Sequence, residues 1–185
     1  MKPNIITENF NLKNHTTIRV GGVTEFFAQP TNINQFIDLI EWSFLHNHEC
    51  RVIGAGSNLL INSIFLKGLI ICTKKLKSLK IDPYSGIVES ETGVMLPTLS
   101  NLLAKNGLQG GEWAVGVPGT VGGAIYMNAG SKNLSLEKNL ISVKAIDTQT
   151  LKKLEIEKKD LNFSYRFSPF QNNNLIITSA KMQFK

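Results

Sequence analysis

Three short stretches of this sequence hold residue types and spacings that could do chemistry. The first is Gly54-Ala55-Gly56-Ser57-Asn58-Leu59-Leu60, which directly follows the apolar run Arg51-Val52-Ile53. Gly54 and Gly56 permit positive φ and close approach of a ligand to the backbone. Successive N–H groups in such a turn form an anion-binding nest, and Ser57 and Asn58 add side-chain donors. A pyrophosphate is the natural guest. A dinucleotide fingerprint of the G-x-G-x-x-G kind fails because Leu59 stands where glycine is needed, and the lysine and hydroxyl of a P-loop are missing. A plain tight turn is the alternative reading. The second stretch is Gly116-Val117-Pro118-Gly119-Thr120-Val121-Gly122-Gly123-Ala124, continuing to Asn128-Ala129-Gly130. Its glycines strip side chains from one surface while Pro118 stiffens it, which suits a flat, rigid aromatic ligand with N–H donors turned to ring carbonyls or phosphates. The alternative is a glycine-rich packing turn leading into a short helix over 123–128. The third is Phe163-Ser164-Tyr165-Arg166-Phe167-Ser168. Here a guanidinium fork beside a phenol could take a carboxylate. A surface arginine stacked on Tyr165 or Phe167 is the plainer reading.

Histidine and cysteine carry weaker signals. His46 and His48, two apart near a helix end, point different ways on a helix and read as surface residues, and His15 stands by itself. Cys50 and Cys72 lie beside or inside apolar strand-like runs and share no metal-ligand spacing, so they read as buried, reduced thiols of a cytosolic protein, with no metal expected.

The elements that must position these groups follow from periodicity. The residues up to Leu12 are polar and read as a surface segment. Glu25 to Gln29 reads as a strand stopped by Pro30. Asn32 then caps a helix in which Ile33, Phe36, Ile37, Ile40 and Phe44 recur at helical spacing, fading at His46-Asn47-His48. Strands are expected at 51–53, 68–73 and 87–92, with a lysine-rich segment ending at Ile81 and a turn over 83–86. A second helix has Pro97 in its first turn, Leu99, Leu102 and Leu103 on one face, and Gly107 past its end. Eight of the fifteen glycines fall within 107–130, too many for one helix or strand. A hairpin over 141–147 and 151–156 and a last strand over 175–184 complete an α+β pattern, without the steady alternation of a doubly wound parallel sheet.

Composition bounds the rest. With 185 residues and 42% hydrophobic content, the chain can bury a core without disulfides or metal, and disorder is excluded. Its longest apolar runs fall far short of the roughly 20 residues of a membrane span. The start, MKPNIITENFNL, lacks the apolar core and small-residue cleavage site of a signal peptide. The net charge of +6 resides largely in Lys74, Lys75, Lys77 and Lys80 and in Lys152, Lys153, Lys158 and Lys159, the latter mixed with Glu155, Glu157 and Asp160. These runs read as solvated faces, with attraction of an anionic ligand as the other use. No aromatics are interleaved with them, which argues against a nucleic-acid stacking platform.

Taken together, four motifs in order resemble the UDP-N-acetylenolpyruvoylglucosamine reductase (UDP-N-acetylmuramate dehydrogenase) family of peptidoglycan precursor synthesis. They are Thr16-Thr17-Ile18-Arg19-Val20-Gly21-Gly22, then GAGSNLL, then GVPGTVGGAIYMNAG, then Tyr165-Arg166-Phe167-Ser168-Pro169-Phe170. The resemblance spans residues 16 to 170. It implies an α+β FAD-binding module of the vanillyl-alcohol-oxidase type, with two small α/β lobes over about 1–75 and 76–185.

The same resemblance implies roles. Gly54, Ala55, Gly56, Ser57, Asn58 and Leu59 would hold the FAD pyrophosphate, and Gly116 through Gly119, Thr120, Gly122, Gly123 and Ala124 would line the flavin and ribityl chain. Arg166 matches the family's active-site arginine and Tyr165 its neighbour at the substrate. NADPH would reduce the flavin, and the UDP-sugar enolpyruvate would be reduced in turn, with Arg166 stabilising charge that builds on the substrate carboxylate. A soluble cytoplasmic monomer is implied, with no membrane or nucleic-acid partner. Two departures stand out. Ser131-Lys132-Asn133 follow Asn128-Ala129-Gly130 where the family has a small residue, tyrosine and glycine, which touches local substrate contacts. The family's third, C-terminal domain, with its proton-donating serine and assisting glutamate, has no counterpart in these residues, so the chain by itself is expected to be an incomplete, inactive enzyme. A cofactor subunit of another flavin oxidoreductase, or a non-catalytic flavin- or nucleotide-binding module, is the alternative.

Overall fold

A computed structural model describes residues 1–131 and 134–185. The chain forms two compact units, Met1–Leu76 and Lys77–Lys185.

In the first unit, strands β1 (Ile6–Asn11), β2 (Val23–Ala28), β3 (Cys50–Ile53) and β4 (Phe65–Cys72) form a four-stranded sheet in the order β1-β2-β4-β3, with helix α1 (Ile33–Leu45) between β2 and β3. Strand β4 lies between β2 and β3 and parallel to both. Its stretch Leu69-Ile70-Ile71-Cys72 is buried on both faces, which is why it reads as an unbroken apolar run and not an alternating one. Ile70 and Cys72 pack with Leu12, Phe27 and Ile53. Helix α1 contacts β4 and β3 and buries Phe36, Leu39 and Ile40. Asn32 caps it, its side chain accepting from the Gln35 N–H at 3.0 Å.

Two readings of this unit are corrected. The first twelve residues are not a surface segment: residues 6–11 are a strand paired antiparallel with β2, and Leu12 is fully buried. As an edge strand with most of its side chains in solvent, β1 needs no apolar alternation, so its polar sequence concealed it. His46 and His48 do not diverge. Helix α1 ends at Leu45, so His48 lies beyond its geometry, and the two rings sit parallel, 6.4 Å apart, both against Trp42.

The second unit is built on a five-stranded antiparallel sheet. Its strands are β5 (Leu79–Asp82), β6 (Ile87–Glu91), β9 (Leu140–Asp147), β10 (Lys153–Glu157) and β11 (Leu175–Gln183), in the order β10-β9-β11-β6-β5. Helices α2 (Leu96–Lys105) and α3 (Val121–Tyr126) and the small ribbon β7 (Gly130–Ser131) with β8 (Leu134–Ser135) complete it. Leu99 and Leu103 of α2, Val121 and Ile125 of α3, Val143 and Ala145 of β9 and Ala180 and Met182 of β11 share one core. Past the end of α2, Gly107 takes φ +72°, and the N–H groups of Gly107 and Leu108 bond back to Ala104 and Leu103 in a Schellman closure. The lysine-rich stretch conceals β5, whose Lys80 pairs with Glu89 across the sheet. The helix expected over 123–128 begins earlier, at Val121, because Thr120 is its cap. Among the described residues no helix is long and apolar enough to cross a membrane.

Candidate functional site

The 54–60 loop leaves the end of β3, and its shape is set from below by β4. The Thr73 hydroxyl donates to the Ile53 carbonyl at 3.3 Å, and the Cys72 thiol to the Gly54 carbonyl at 3.7 Å. Cys72 thus has a local role that its isolation in the sequence did not show. Burial pushes both thiols up, Cys50 to about 11, so neither is an ionised nucleophile at neutral pH. Of the two expected positive-φ glycines, Gly56 takes φ +69°, whereas Gly54 is not among the left-handed residues, a correction to the expectation for that position. The need for glycine at 56 is internal: a Cβ there would stand 1.9 Å from the His15 carbonyl oxygen. Thr17 N–H donates to the Gly56 carbonyl at 3.0 Å.

The segment Thr16–Gly22 therefore lies against this loop. It is closed by the Thr16 hydroxyl on the Val20 carbonyl at 2.8 Å and turned by Arg19 at φ +55°. Gly22 is also required by packing, since a Cβ would meet the Ser63 carbonyl at 2.1 Å. His15 packs edge-on against Phe10 at 5.2 Å and tilted against Phe27 at 4.7 Å, the two phenylalanines being stacked on each other, and burial first, then the charge of Lys74, push its pKa down. Within the loop Gly56 is buried, Ala55 and Ser57 are half-buried, and Asn58 and Leu59 face solvent.

In the 116–130 segment the glycines divide. Gly122 packs so closely that a Cβ would fall 1.8 Å from the Thr92 hydroxyl, and Gly119 holds φ +147°. At Gly116 a Cβ would meet nothing within 4 Å, and at Gly123 only the Thr120 hydroxyl at 3.5 Å. Both of these are exposed, as is Pro118, while Val117 is half-buried and Thr120 and Ala124 are buried. The donors expected from the paired glycines are engaged internally. Gly122 N–H bonds to the Thr92 carbonyl at 2.9 Å, and Gly123 N–H to its own cap, Thr120, at 3.3 Å. What the segment offers outward at Gly116 and Gly123 is bare surface, and the donors of the paired glycines are taken by Thr92 and by the cap of α3.

Tyr165 and Arg166 form the tip of a tight turn closed by two 3.1 Å bonds between the backbones of Ser164 and Phe167. Tyr165 is 89% exposed. Arg166 is held at φ +56°, a region costing a non-glycine residue roughly 1–2 kcal/mol. Its guanidinium lies 5.5 Å from the centre of the Tyr165 ring and donates to the Gly130 carbonyl at 3.4 Å. The turn is tied to the end of α3. The Ser168 hydroxyl donates to the Tyr126 carbonyl at 2.8 Å, and Asn128, 6% exposed, donates through Nδ2 to the Ser164 carbonyl at 2.9 Å. The second glycine segment and the Tyr165–Arg166 turn, 36 or more residues apart in sequence, are thus adjacent. Of the departure at Ser131-Lys132-Asn133, Ser131 ends β7, and Lys132 and Asn133 lie outside the described residues.

A hollow of about 330 Å³ on the outer face of the five-stranded sheet is lined by serines and by Lys80, Glu89, Lys144, Glu155 and Lys181, none of them a candidate residue. Its alternating charges make it a solvated sheet face. Among the described residues no group of three or more His, Cys, Asp or Glu could hold a metal ion.

Residues 24–150, which contain both glycine segments, match the family described as "FAD binding domain". The chain belongs to that FAD-binding domain family. Arg166 lies beyond the matched stretch, so its role rests on other grounds. A UDP-N-acetylenolpyruvoylglucosamine reductase of Prochlorococcus marinus subsp. pastoris (strain CCMP1986 / NIES-2087 / MED4) is 67% identical over all 185 residues, which cover 62% of that protein. One from Synechococcus sp. (strain RCC307) is 40% identical, the match covering 94% of this chain and 57% of the relative. The crystal structure of the UDP-N-acetylenolpyruvylglucosamine reductase of Thermus caldophilus superposes with TM-score 0.78 at 27% identity, over 95% of this chain and 61% of that one. An alkyldihydroxyacetonephosphate synthase shares the fold at TM-score 0.72 and 17% identity, over 100% of this chain and 41% of that one. The α+β FAD-binding module of the vanillyl-alcohol-oxidase type, expected from the four motifs, is the architecture present. The chain spans about three-fifths of the length of these reductases.

Proposed function

We propose that this FAD-binding chain serves an NADPH-dependent reductase acting on the enolpyruvyl group of UDP-N-acetylglucosamine enolpyruvate, a step in making peptidoglycan precursors. The single observation that carries the reading is the attachment of the Tyr165–Arg166 turn to the end of α3, which brings a strained, solvent-facing guanidinium next to the glycine-rich surface. Strain of this kind clusters at ligand clamps and active sites, and here it coincides with the open glycine surface. The names of the reductases that match the chain support the substrate class.

The residues fit the cofactor. Gly116 and Gly123 leave open surface where no packing demands glycine, and the 54–59 loop offers a left-handed turn with Ser57 and Asn58. In this reading Gly54 to Leu59 hold the pyrophosphate, and Gly116 to Ala124 lie against the flavin and its ribityl chain. Bound there, FAD would supply the redox chemistry for hydride transfer from NADPH to the enolpyruvyl double bond. Arg166 holds the substrate carboxylate and stabilises the negative charge that grows on it, a role suited to a fork that donates paired hydrogen bonds. Tyr165 flanks the same carboxylate and keeps the guanidinium oriented through its ring face. The protein works in the cytoplasm as a monomer, with soluble nucleotide ligands and neither membrane nor nucleic acid as partner.

Titrating the purified chain with FAD tests the reading. Quenching of flavin fluorescence with a saturable isotherm is expected, and a titration without any spectral change overturns it. Adding the UDP-sugar enolpyruvate to the loaded chain tests Arg166. The substrate is expected to perturb the flavin spectrum, and Arg166→Ala to remove that perturbation while leaving FAD affinity within about twofold. A perturbation unchanged in Arg166→Ala removes this residue from the site.

A further inference from the structure

Gln171 lies outside every motif that the sequence singles out, yet its side-chain amide sits at the junction of the site. Its Nε2 donates to the Tyr126 carbonyl at 2.8 Å and to the Arg166 carbonyl at 3.1 Å, and stands 3.8 Å from the Met127 sulfur. Both oxygens are acceptors only, so the orientation of the amide is dictated: the opposite one would set Oε1 against two carbonyls. At the other end of the turn, Asn128 Nδ2 faces the Ser164 carbonyl and, at 3.2 Å, a Glu137 carboxylate oxygen, again acceptors only. Glu137 is held in turn by Lys158 at 3.4 Å, whose ammonium lies 5.0 Å from the Phe163 ring centre. The first residue of the turn is thus gripped by Asn128, and the residue in the left-handed conformation by Gln171. Both grips rest on the last residues of α3 and just beyond, Tyr126 and Asn128.

We propose that Gln171, together with Asn128, is a positioning residue for Arg166: a two-amide clamp that holds the arginine in its left-handed conformation and fixes it to the glycine-bearing helix α3. The clamp explains how an arginine stays where glycine would be favoured. Without it, the strained residue is held by the two bonds between Ser164 and Phe167, the Ser168 hydroxyl on Tyr126 and its own guanidinium on Gly130, none of which fixes the Arg166 carbonyl, and Arg166 relaxes toward an open turn. The proposal rests on the reading of Arg166 as the carboxylate-binding group for its purpose, but not for its geometry.

An arginine-specific protease reads the clamp directly. The chain has three arginines: Arg166 in this turn, Arg51 inside β3, and Arg19, also exposed and left-handed, in the first unit. Cutting after Arg166 requires the turn to open, and cutting after Arg19 is the internal reference. Losing two hydrogen bonds of ordinary net strength in Gln171→Ala is expected to speed cleavage at Arg166 about tenfold relative to Arg19. The near-isosteric Gln171→Glu, which has no donor, should match it. Gln171→Lys, whose ammonium can donate to both carbonyls, should restore the slow rate. Asn128→Ala should accelerate the same site. A ratio of rates unchanged from wild type in Gln171→Ala and Gln171→Glu overturns the clamp, as does equal acceleration in Gln171→Lys. General loosening raises cutting at Arg19 as well and leaves the ratio flat, which also counts against it. Added FAD separates this idea from the functional reading. If FAD does not protect Arg166 while Gln171→Ala still accelerates its cleavage, that reading fails and the clamp stands. If FAD protects but Gln171→Ala changes nothing, the clamp alone fails.

Discussion

A methyl group added at Gly56 would strike the His15 carbonyl at 1.9 Å, whereas one added at Gly116 would touch nothing within 4 Å. The two glycine-rich segments look alike in sequence and are used differently. In the 54–60 loop, glycine lets the Thr16–Gly22 segment and the loop approach each other, so the residue serves the fold first and any ligand second. In the 116–130 segment the uses are split: Gly119 and Gly122 serve backbone shape and packing, and Gly116 and Gly123 serve nothing inside the described structure. Glycine count therefore points to a site only after the glycines that packing requires have been subtracted.

The contrast can be broken most forcefully at Gly56. Gly56→Ala combines left-handed backbone strain with a backbone clash and should cost about 4 kcal/mol, lowering the midpoint of thermal unfolding by roughly 10 °C. A change of less than about 2 °C would mean that the loop yields and that its glycine is not needed by the fold.

An alkaline titration separates the units next. Cys50 and Cys72 both belong to the first unit, and burial raises both, Cys50 to about 11 from its ordinary 9.0. Between those two values the unfolded chain has released the Cys50 proton while the folded one keeps it. Stability is thus intact below pH 9 and falls as pH rises toward 11, by on the order of 2 kcal/mol. Denaturant midpoints measured across that window should decline, and Cys50→Ala should make the decline shallower, leaving the part that belongs to Cys72. A wild-type midpoint constant from pH 9 to 11 would contradict the burial of the thiol.

The smallest effect is the most diagnostic. Gly123→Ala replaces a helical glycine with a better helix former at a position that has room, and should stabilise the chain by roughly 0.5–1 kcal/mol. Gly116→Ala should leave stability within about 0.5 kcal/mol. Each should nevertheless weaken FAD binding about tenfold in the same fluorescence titration, because the methyl occupies surface left bare for the ligand. Unchanged affinity in both variants would return these glycines to the status of ordinary loop residues.

Much of the fold is legible in the sequence because it depends on local chemistry. The apolar stripe of α1 with its Asn32 cap, the Pro97 and Gly107 that bracket α2, and the final strand all follow from neighbours within a few residues. Strands β1 and β5 are not legible, since an edge strand with charged or polar side chains is stabilised by its partner and not by its own pattern. The positions of the glycine segments and of Tyr165-Arg166-Phe167-Ser168 can be read as motifs, as can their order.

What the sequence determined by itself, then, is which residues are chemically eligible: a turn able to cradle an anion, a surface stripped of side chains, an arginine beside a tyrosine. Tertiary structure alone decided which of them are available. It showed that the Gly122 donor goes to the Thr92 carbonyl and the Gly123 donor to α3's own cap, that Cys72 and Thr73, at and just past the end of β4, shape the 54–60 loop, and that Gln171 and Asn128 grip the arginine turn. The physical reason is the same in each case. Hydrogen-bond partners and close contacts depend on separations in space between residues up to 98 positions apart, and no local pattern in the chain records them.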